Sequence, residues 1–352
     1  MSRTMPLVSW ILCVYNGEEY LADTMDSILG QTYPNWALIA IDDCSTDGTP
    51  KILADYAARD PRVKIYRNPE NLRLQKSLNR GLSLANGKYV ARIDADDLCA
   101  LNRLERQVAF MEARPEIQLS FCRYLRLING KIQRSPFNAR TSPEALHGML
   151  LFTNPVIHPG VIARKEAICS LGYREDLTCT EDLELWQRMD LQGMKMAAQN
   201  EYLLLYRIHD KQITATSAQR QRDEFIRVTR EYYRQMLFEL TPEQERFLTT
   251  GVYFIDQVDV EQLITLFAAI RKANREKGVY TNTALNNSMF EIVVRYKNCG
   301  ISRRDLLRLL LFFPPHFLAA ELIRRKVVNL LGMRKIESMR TGTGKEYPWV
   351  SL

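Results

Sequence analysis

The chain has 352 residues, long enough for two domains, and at 46% apolar and 25% charged its composition is that of an ordinary globular protein, which excludes a wholly disordered chain. Seven cysteines without a Cys-x-x-Cys pair fit neither a disulfide framework nor a thiolate zinc site, so they read as reduced thiols. The net charge of +7 suits phosphates, anionic lipid or nucleic acid and does not choose among them.

Leu7 to Val14 is a nearly continuous apolar run, the pattern of a strand covered on both faces, and Tyr15-Asn16-Gly17 closes it as a turn. No basic start, apolar core and small-residue cleavage site precede it, so a cytoplasmic location is expected. Leu21, Met25, Ile28 and Leu29 then recur at helical spacing, and a second apolar run, Trp36 to Ile41, follows Pro34. This β-α-β unit repeats. A helix around Ile52, Leu53 and Tyr56 leads to a strand Val63 to Tyr66, and a helix striped by Leu74, Leu78 and Leu82, with Gly87 as its C-cap, leads to a strand Tyr89 to Ile93. Such alternation implies an α/β fold with a parallel sheet, right-handed crossovers and ligands beyond the carboxyl ends of the strands. A helix with Leu104, Val108 and Met111, a strand Leu119 to Leu125, a hairpin turn at Asn129-Gly130, a helix from Asp182 and a strand Tyr202 to Ile208 complete a domain expected over residues 1–215. Beyond it the apolar residues keep to helical stripes, such as Leu263, Phe267 and Ile270, giving an α-helical C-terminal extension over 216–352.

Two strand ends carry acids: Asp42-Asp43 after Ile41, and Asp94-Ala95-Asp96-Asp97 after Ile93. Three carboxylates at a strand mouth suit a hard cation that keeps water and takes phosphate oxygens, Mg²⁺ or Mn²⁺. An isolated Asp-x-Asp is more often a helix cap, so context must decide. A tyrosine face at Tyr15 can stack on a base while Asp43 accepts a ring N–H, which outlines a nucleoside pocket; turn filler and an Asx-turn are the competing readings. Thr180-Glu181-Asp182 opens a helix, where an aspartate can simply cap. His209 ends a strand as the acid clusters do.

Taken in order, Val8-Ser9 to Tyr15-Asn16, Leu29-Gly30-Gln31-Thr32-Tyr33-Pro34, Asp42-Asp43-Cys44-Ser45-Thr46-Asp47-Gly48-Thr49, Ala91-Arg92-Ile93-Asp94-Ala95-Asp96-Asp97, Thr180-Glu181-Asp182 and Tyr206-Arg207-Ile208-His209 resemble family 2 of the glycosyltransferases over roughly residues 7 to 210. The resemblance implies the GT-A fold. It makes Tyr15 and Asp43 base contacts, the acid cluster a metal and ribose site (Asp94 toward the donor, Asp96 and Asp97 toward the metal), His209 a further metal ligand or diphosphate contact and Asp182 the catalytic base. It also makes Gly160, in His158-Pro159-Gly160, a glycine that lets backbone approach the sugar diphosphate. Cys13 stands on the donor side where the family often has proline or threonine, and Arg73 falls in a loop that usually holds glycine; Arg73 or Lys76 is the expected diphosphate contact.

The Gln-x-x-Arg-Trp motif of processive synthases is absent, which favours addition of one sugar. The expected reaction is inverting transfer from a nucleotide-sugar donor, UDP-linked because Asp43 can accept the N3–H of uracil, to a saccharide or lipid-linked acceptor in surface polysaccharide synthesis. A nucleotidyltransferase would need a glycine-rich basic loop after the first strand, where Tyr15-Asn16-Gly17-Glu18-Glu19 is acidic. A nucleic-acid-binding protein would interleave basic and aromatic residues, which this chain does not, so no nucleic-acid partner is expected.

From Ser302 to Lys335, residues including Leu306, Leu309, Phe312, Phe317, Val327, Val328 and Leu330 alternate with Arg303, Arg304, Arg308, Arg324, Arg325 and Lys326. Such a segment can lie in an anionic membrane interface, on the inner face of the cytoplasmic membrane, or pack on the catalytic domain or a twin subunit in a homodimer. Leu309 to Ala320, broken by Pro314-Pro315, is too short to span a bilayer.

Overall fold

The computed structural model describes residues 5–135, 142–210, 212 and 217–324. In the first part β1 (Val8–Val14), α1 (Leu21–Leu29), β2 (Trp36–Asp42), α2 (Thr49–Arg59), β3 (Val63–Arg67), α3 (Arg73–Leu84) and β4 (Tyr89–Arg92) alternate as the apolar periods require. They are followed by β5 (Leu98–Cys99), α4 (Arg103–Glu112), β6 (Ile117–Ile128), β7 (Lys131–Arg134), α5 (Pro143–Met149), β8 (Val161–Arg164), α6 (Lys165–Leu171), α7 (Glu181–Leu191) and β9 (Lys195–Ile208).

All nine strands form one sheet in the order β3-β2-β1-β4-β8-β6-β9-β5, with β7 on β6. β1 to β4 pair in parallel, as expected, but β8 runs antiparallel to both β4 and β6, so the sheet is mixed. β8 is only four residues long and follows a Pro-Gly turn, too little for a period to register. Trp10, Leu12, Leu21, Met25, Ile28, Trp36 and Tyr89 lie in the core between the sheet and its helices, at 2% exposure or less. Gly87 is not a C-cap. α3 closes at Ala85, and a Cβ on Gly87 would meet the Leu7 carbonyl oxygen at 2.6 Å and the Ser9 nitrogen at 2.7 Å, so the glycine lets the chain pass close to β1.

The described residues form two compact units, 5–146 with 154–229 and 147–153 with 230–324; the division falls inside a helix, α8 (Ala218–Met236), past the boundary expected near 215. The remaining elements are helical: α9 (Pro242–Phe247), a π turn Leu248–Tyr253, α10 (Val260–Lys277), α11 (Asn282–Asn298), α12 (Arg303–Leu310) and α13 (Pro315–Arg324). Thr241, Asp259, Thr281 and Ser302 cap α9 to α12 through their side chains, and α10 stops at Gly278, whose φ is 67°. Among the described residues no single helix is long and apolar enough to cross a membrane; α12 and α13 meet that test only as a pair, bent by 113°. Val327, Val328, Leu330, Arg325, Lys326 and Lys335 lie outside the described residues.

Candidate active site

β4 ends at Arg92, and the acid cluster forms the turn between β4 and β5. α1 secures that turn, because the Thr24 hydroxyl lies 2.9 Å from the Ala95 carbonyl and 2.8 Å from that of Asp97. One oxygen each from Asp94, Asp96 and Asp97 falls within 4.8 Å of the other two. Asp97 is fully buried: Oδ1 accepts the Arg207 N–H at 2.9 Å, and Oδ2 has no hydrogen-bond partner. Asp94 makes a two-pronged ion pair with buried Arg92. Burial nonetheless raises the Asp94 carboxyl to about 6, against the pull of Arg92 and with a further push from Asp96. Asp97 is held well above the usual carboxylate range by burial and then by its two acidic neighbours. Three crowded carboxylates, one with an orphaned buried oxygen, are a donor set that a hard divalent cation satisfies. His209 joins them, its Nε2 being 2.9 Å from Asp96 Oδ2.

The loops after β1 and β2 are laced together. The N–H groups of Asn16, Gly17 and Glu18 donate to Ser45, Thr49 and Asp47 at 3.0, 2.9 and 3.1 Å, and Glu18 accepts the Gly48 N–H. Glu18 is thus consumed in the turn. Tyr15 projects from it, 50% exposed and available to stack. Asp43 is buried and already accepts three bonds, from Asn68 Nδ2 (2.6 Å) and Leu72 N–H (2.9 Å) on Oδ1 and from Arg73 N–H (2.9 Å) on Oδ2. One lone pair of Oδ2 remains for a ligand. Arg73, at the head of α3, has φ +70°, a left-handed conformation that explains why glycine suits the position. Its side chain and that of Lys76 are exposed.

Asp182 stands in the first turn of α7, one residue inside Glu181, and the N-cap is Thr180. Its Oδ2 accepts Asn154 Nδ2 and its Oδ1 the Leu183 N–H, each at 2.7 Å. Burial raises its carboxyl, while these bonds and Arg92 pull it down. Cys13 on β1 carries a thiol that burial keeps protonated. Gly160 is buried in a 3₁₀ turn before β8; a Cβ there would meet Ile157 Cγ2 at 2.9 Å and Cys122 Sγ at 3.2 Å, and its carbonyl accepts Gln107 Nε2 at 2.9 Å. Packing against β6 is sufficient reason for that glycine.

The pattern of Glycosyl transferase family 2 matches residues 9–169. EpsE of Bacillus subtilis (strain 168), assigned as a glycosyltransferase, is 39% identical over 200 residues, which cover 54% of this chain and 69% of that one. The chain belongs to glycosyltransferase family 2. Amylovoran biosynthesis glycosyltransferase AmsE of Erwinia amylovora is 28% identical over 254 residues, 71% of this chain and 91% of AmsE. The fold is GT-A. TarS of S. aureus, solved with UDP-GlcNAc, superposes with a TM-score of 0.58 at 19% identity over 84% of this chain and 93% of that one. Mannosyltransferase PcManGT of Pyrobaculum calidifontis, solved with GDP-Man and Mn²⁺, gives 0.55 at 18% identity over 88% and 87%.

Three residues of this glycosyltransferase escape the sequence reading. Arg92 is the cation these groups share: burial raises Cys13, Asp94, Asp97 and Asp182, and the Arg92 charge opposes the rise at each, which marks them as neighbours. Glu181, buried and bonded to Gln75 Nε2 at 3.2 Å, is pushed up to about 7 by burial and then by Asp182. Asn154 orients Asp182 from a point 28 residues upstream, a separation that no local pattern reveals.

Proposed function

We propose that this glycosyltransferase moves one sugar, with inversion, from a UDP-linked donor to a saccharide or lipid-linked acceptor in surface polysaccharide synthesis. The observation that carries the reading is the division of carboxylates around Arg92: a crowded trio fit for a cation, and beside it Asp182, separately oriented and near enough for its charge to raise Asp94. Each Asp182 oxygen accepts one bond, so each keeps a lone pair for the proton of an acceptor hydroxyl. Burial that favours the protonated form makes it a better base than a surface aspartate, and Asn154 fixes the angle from which it works. Tyr15 stacks on the base, and the free lone pair of Asp43 Oδ2 accepts a ring N–H, which uracil supplies at N3. Arg73 or Lys76 takes the diphosphate, with Asp94 and Cys13 lining the donor side.

Asp96, Asp97 and His209 would hold Mg²⁺ or Mn²⁺, which when bound compensates the charge of the leaving diphosphate. The names of TarS and PcManGT ligands include both UDP and GDP donors, so the fold leaves the base open and the preference for uridine rests on Tyr15 and Asp43. AmsE is named for polysaccharide synthesis, which supports that setting here. A lipid-linked acceptor would place the protein on a membrane surface, and Leu307 on α12, Leu311 just past its end, and Leu322 and Ile323 on α13 are 59% to 76% exposed, with Arg303 and Arg304 exposed as well. The test is a panel of UDP-, GDP- and dTDP-sugars with purified protein and Mn²⁺, read as free nucleoside diphosphate. Release from UDP-sugars is expected; release only from GDP-sugars would reject the uridine pocket, and release of pyrophosphate from nucleoside triphosphates with sugar phosphate would identify a nucleotidyltransferase.

A further inference from the structure

Thr178-Cys179-Thr180, the segment that delivers the chain into α7, is a series of bends with no ladder or helix of its own. One carboxylate organises it. Glu224, buried on α8, receives on Oε1 the Thr178 N–H at 2.9 Å and the Thr178 hydroxyl at 2.8 Å, and on Oε2 the Cys179 N–H at 2.8 Å and the Thr180 hydroxyl at 3.2 Å. Thr180 is the N-cap residue of α7, yet its hydroxyl goes to Glu224 and caps nothing in its own helix. Four donors from three successive residues therefore fix where α7 begins, and Asp182 lies two residues further on.

We infer that Glu224 is a positioning residue for sugar transfer, clamping the Thr178–Thr180 segment so that Asp182 meets the acceptor hydroxyl at a fixed place. The inference rests on Asp182 being the base. Burial would raise the Glu224 carboxyl, but the bonds from Thr178, Cys179 and Thr180 reverse that and hold it below the usual range, so the clamp is ionised at neutral pH. α8 lies beyond the stretch that matches the family pattern, while Glu224 falls in the first compact unit with Asp182.

The experiment compares full-length Glu224→Gln, Glu224→Ala, Asp182→Asn and Asp182→Asn combined with Glu224→Gln. Four readouts are taken: turnover with the donor found in the nucleotide-sugar panel, UDP binding with Mn²⁺ by calorimetry, melting temperature, and amide exchange at Thr178 and Cys179. Misplacing a reacting group by about 1 Å can cost on the order of a hundredfold. Glu224→Gln should therefore slow turnover about tenfold to a hundredfold, speed exchange at those two amides, and leave UDP affinity within about twofold. Added to Asp182→Asn it should cost nothing more, because it acts only through that residue. If Glu224→Ala does not fold, the isosteric Glu224→Gln decides alone. Normal turnover in Glu224→Gln overturns the clamp and leaves the base reading standing if Asp182→Asn is slow. Multiplicative losses in the double variant, or UDP affinity falling with turnover, overturn it too, by showing a general structural effect. Slow Glu224→Gln beside an unimpaired Asp182→Asn overturns both readings.

Discussion

Asp182 and Arg73 show how a single position is decided by what surrounds it. Asp182 is held by Asn154 and by its own helix, and asparagine in its place keeps the shape while losing the proton acceptor. General-base catalysis contributes roughly 10² to 10⁴ in rate, so Asp182→Asn should slow turnover by about that factor with donor affinity within a few-fold. Steady-state rates beside calorimetric titration check this; a purely structural aspartate would give near-normal turnover. Arg73 adopts φ +70° while its N–H is held by Asp43 and Asn71. A left-handed conformation costs an L-residue roughly 1–2 kcal/mol, and glycine adds back about 0.4–1 kcal/mol of unfolded-state freedom. Arg73→Gly should accordingly match or exceed the parent melting temperature, whereas Arg73→Val should fall below it. If the side chain holds diphosphate, both variants lose UDP affinity alike, which calorimetry separates from the stability effect. The sequence already set Arg73 apart as a departure; the strained backbone that gives the departure meaning was not written in it.

At the scale of elements, the first turn of α7 carries Glu181, Asp182 and Glu184, a concentration of acid that a helix N-terminus favours through its dipole. Glu181 is the costly member, pushed up to about 7 from an ordinary value near 4.5. Between those two values the folded chain keeps a proton that the unfolded chain releases, so stability falls as pH rises through the window and stays lowered above it. Glu181→Gln should thus raise the melting temperature at pH 8 and have little effect at pH 4, a contrast that scanning calorimetry at the two pH values measures. The laced turns after β1 and β2 show what an ordered motif contains. Ser45, Asp47 and Thr49 serve chiefly to hold the Tyr15 loop, so much of Asp42-Asp43-Cys44-Ser45-Thr46-Asp47-Gly48-Thr49 supports that loop from behind, and Asp43 is the member proposed to meet the donor. β1, β2 and β4 were legible because each buries a nearly unbroken run, and α1 to α4 because each buries a stripe. β5, two residues long, was not, because its pairing with β9 is a long-range event.

For the molecule as a whole, the cation site proposed at the acid cluster predicts a stability that depends on the cation. Ligand at a hundred times its dissociation constant stabilises the state that binds it by about 2.7 kcal/mol, so saturating Mn²⁺ should raise the melting temperature, EDTA should reverse the rise and Asp96→Ala should abolish it. Because Asp97, one of the proposed ligands, is held well above the usual carboxylate range by burial, protons compete with the cation, and the shift should be larger at pH 7.5 than at pH 5. The exposed apolar residues of α12 and α13 give a second whole-molecule expectation. Leu311→Asp with Ile323→Asp should reduce co-sedimentation with vesicles containing anionic lipid while UDP binding is unchanged; equal sedimentation would leave those residues without a membrane role. Sequence alone determined the α/β alternation, the acid clusters at strand ends and the order of motifs, because period, turn chemistry and spacing are local properties that survive without coordinates. Tertiary structure decided the rest. Arg92 gathering Cys13, Asp94, Asp97 and Asp182, Asn154 turning Asp182, and Glu224 gripping Thr178 to Thr180 depend on burial and on contacts between distant segments, which the chain acquires only by folding.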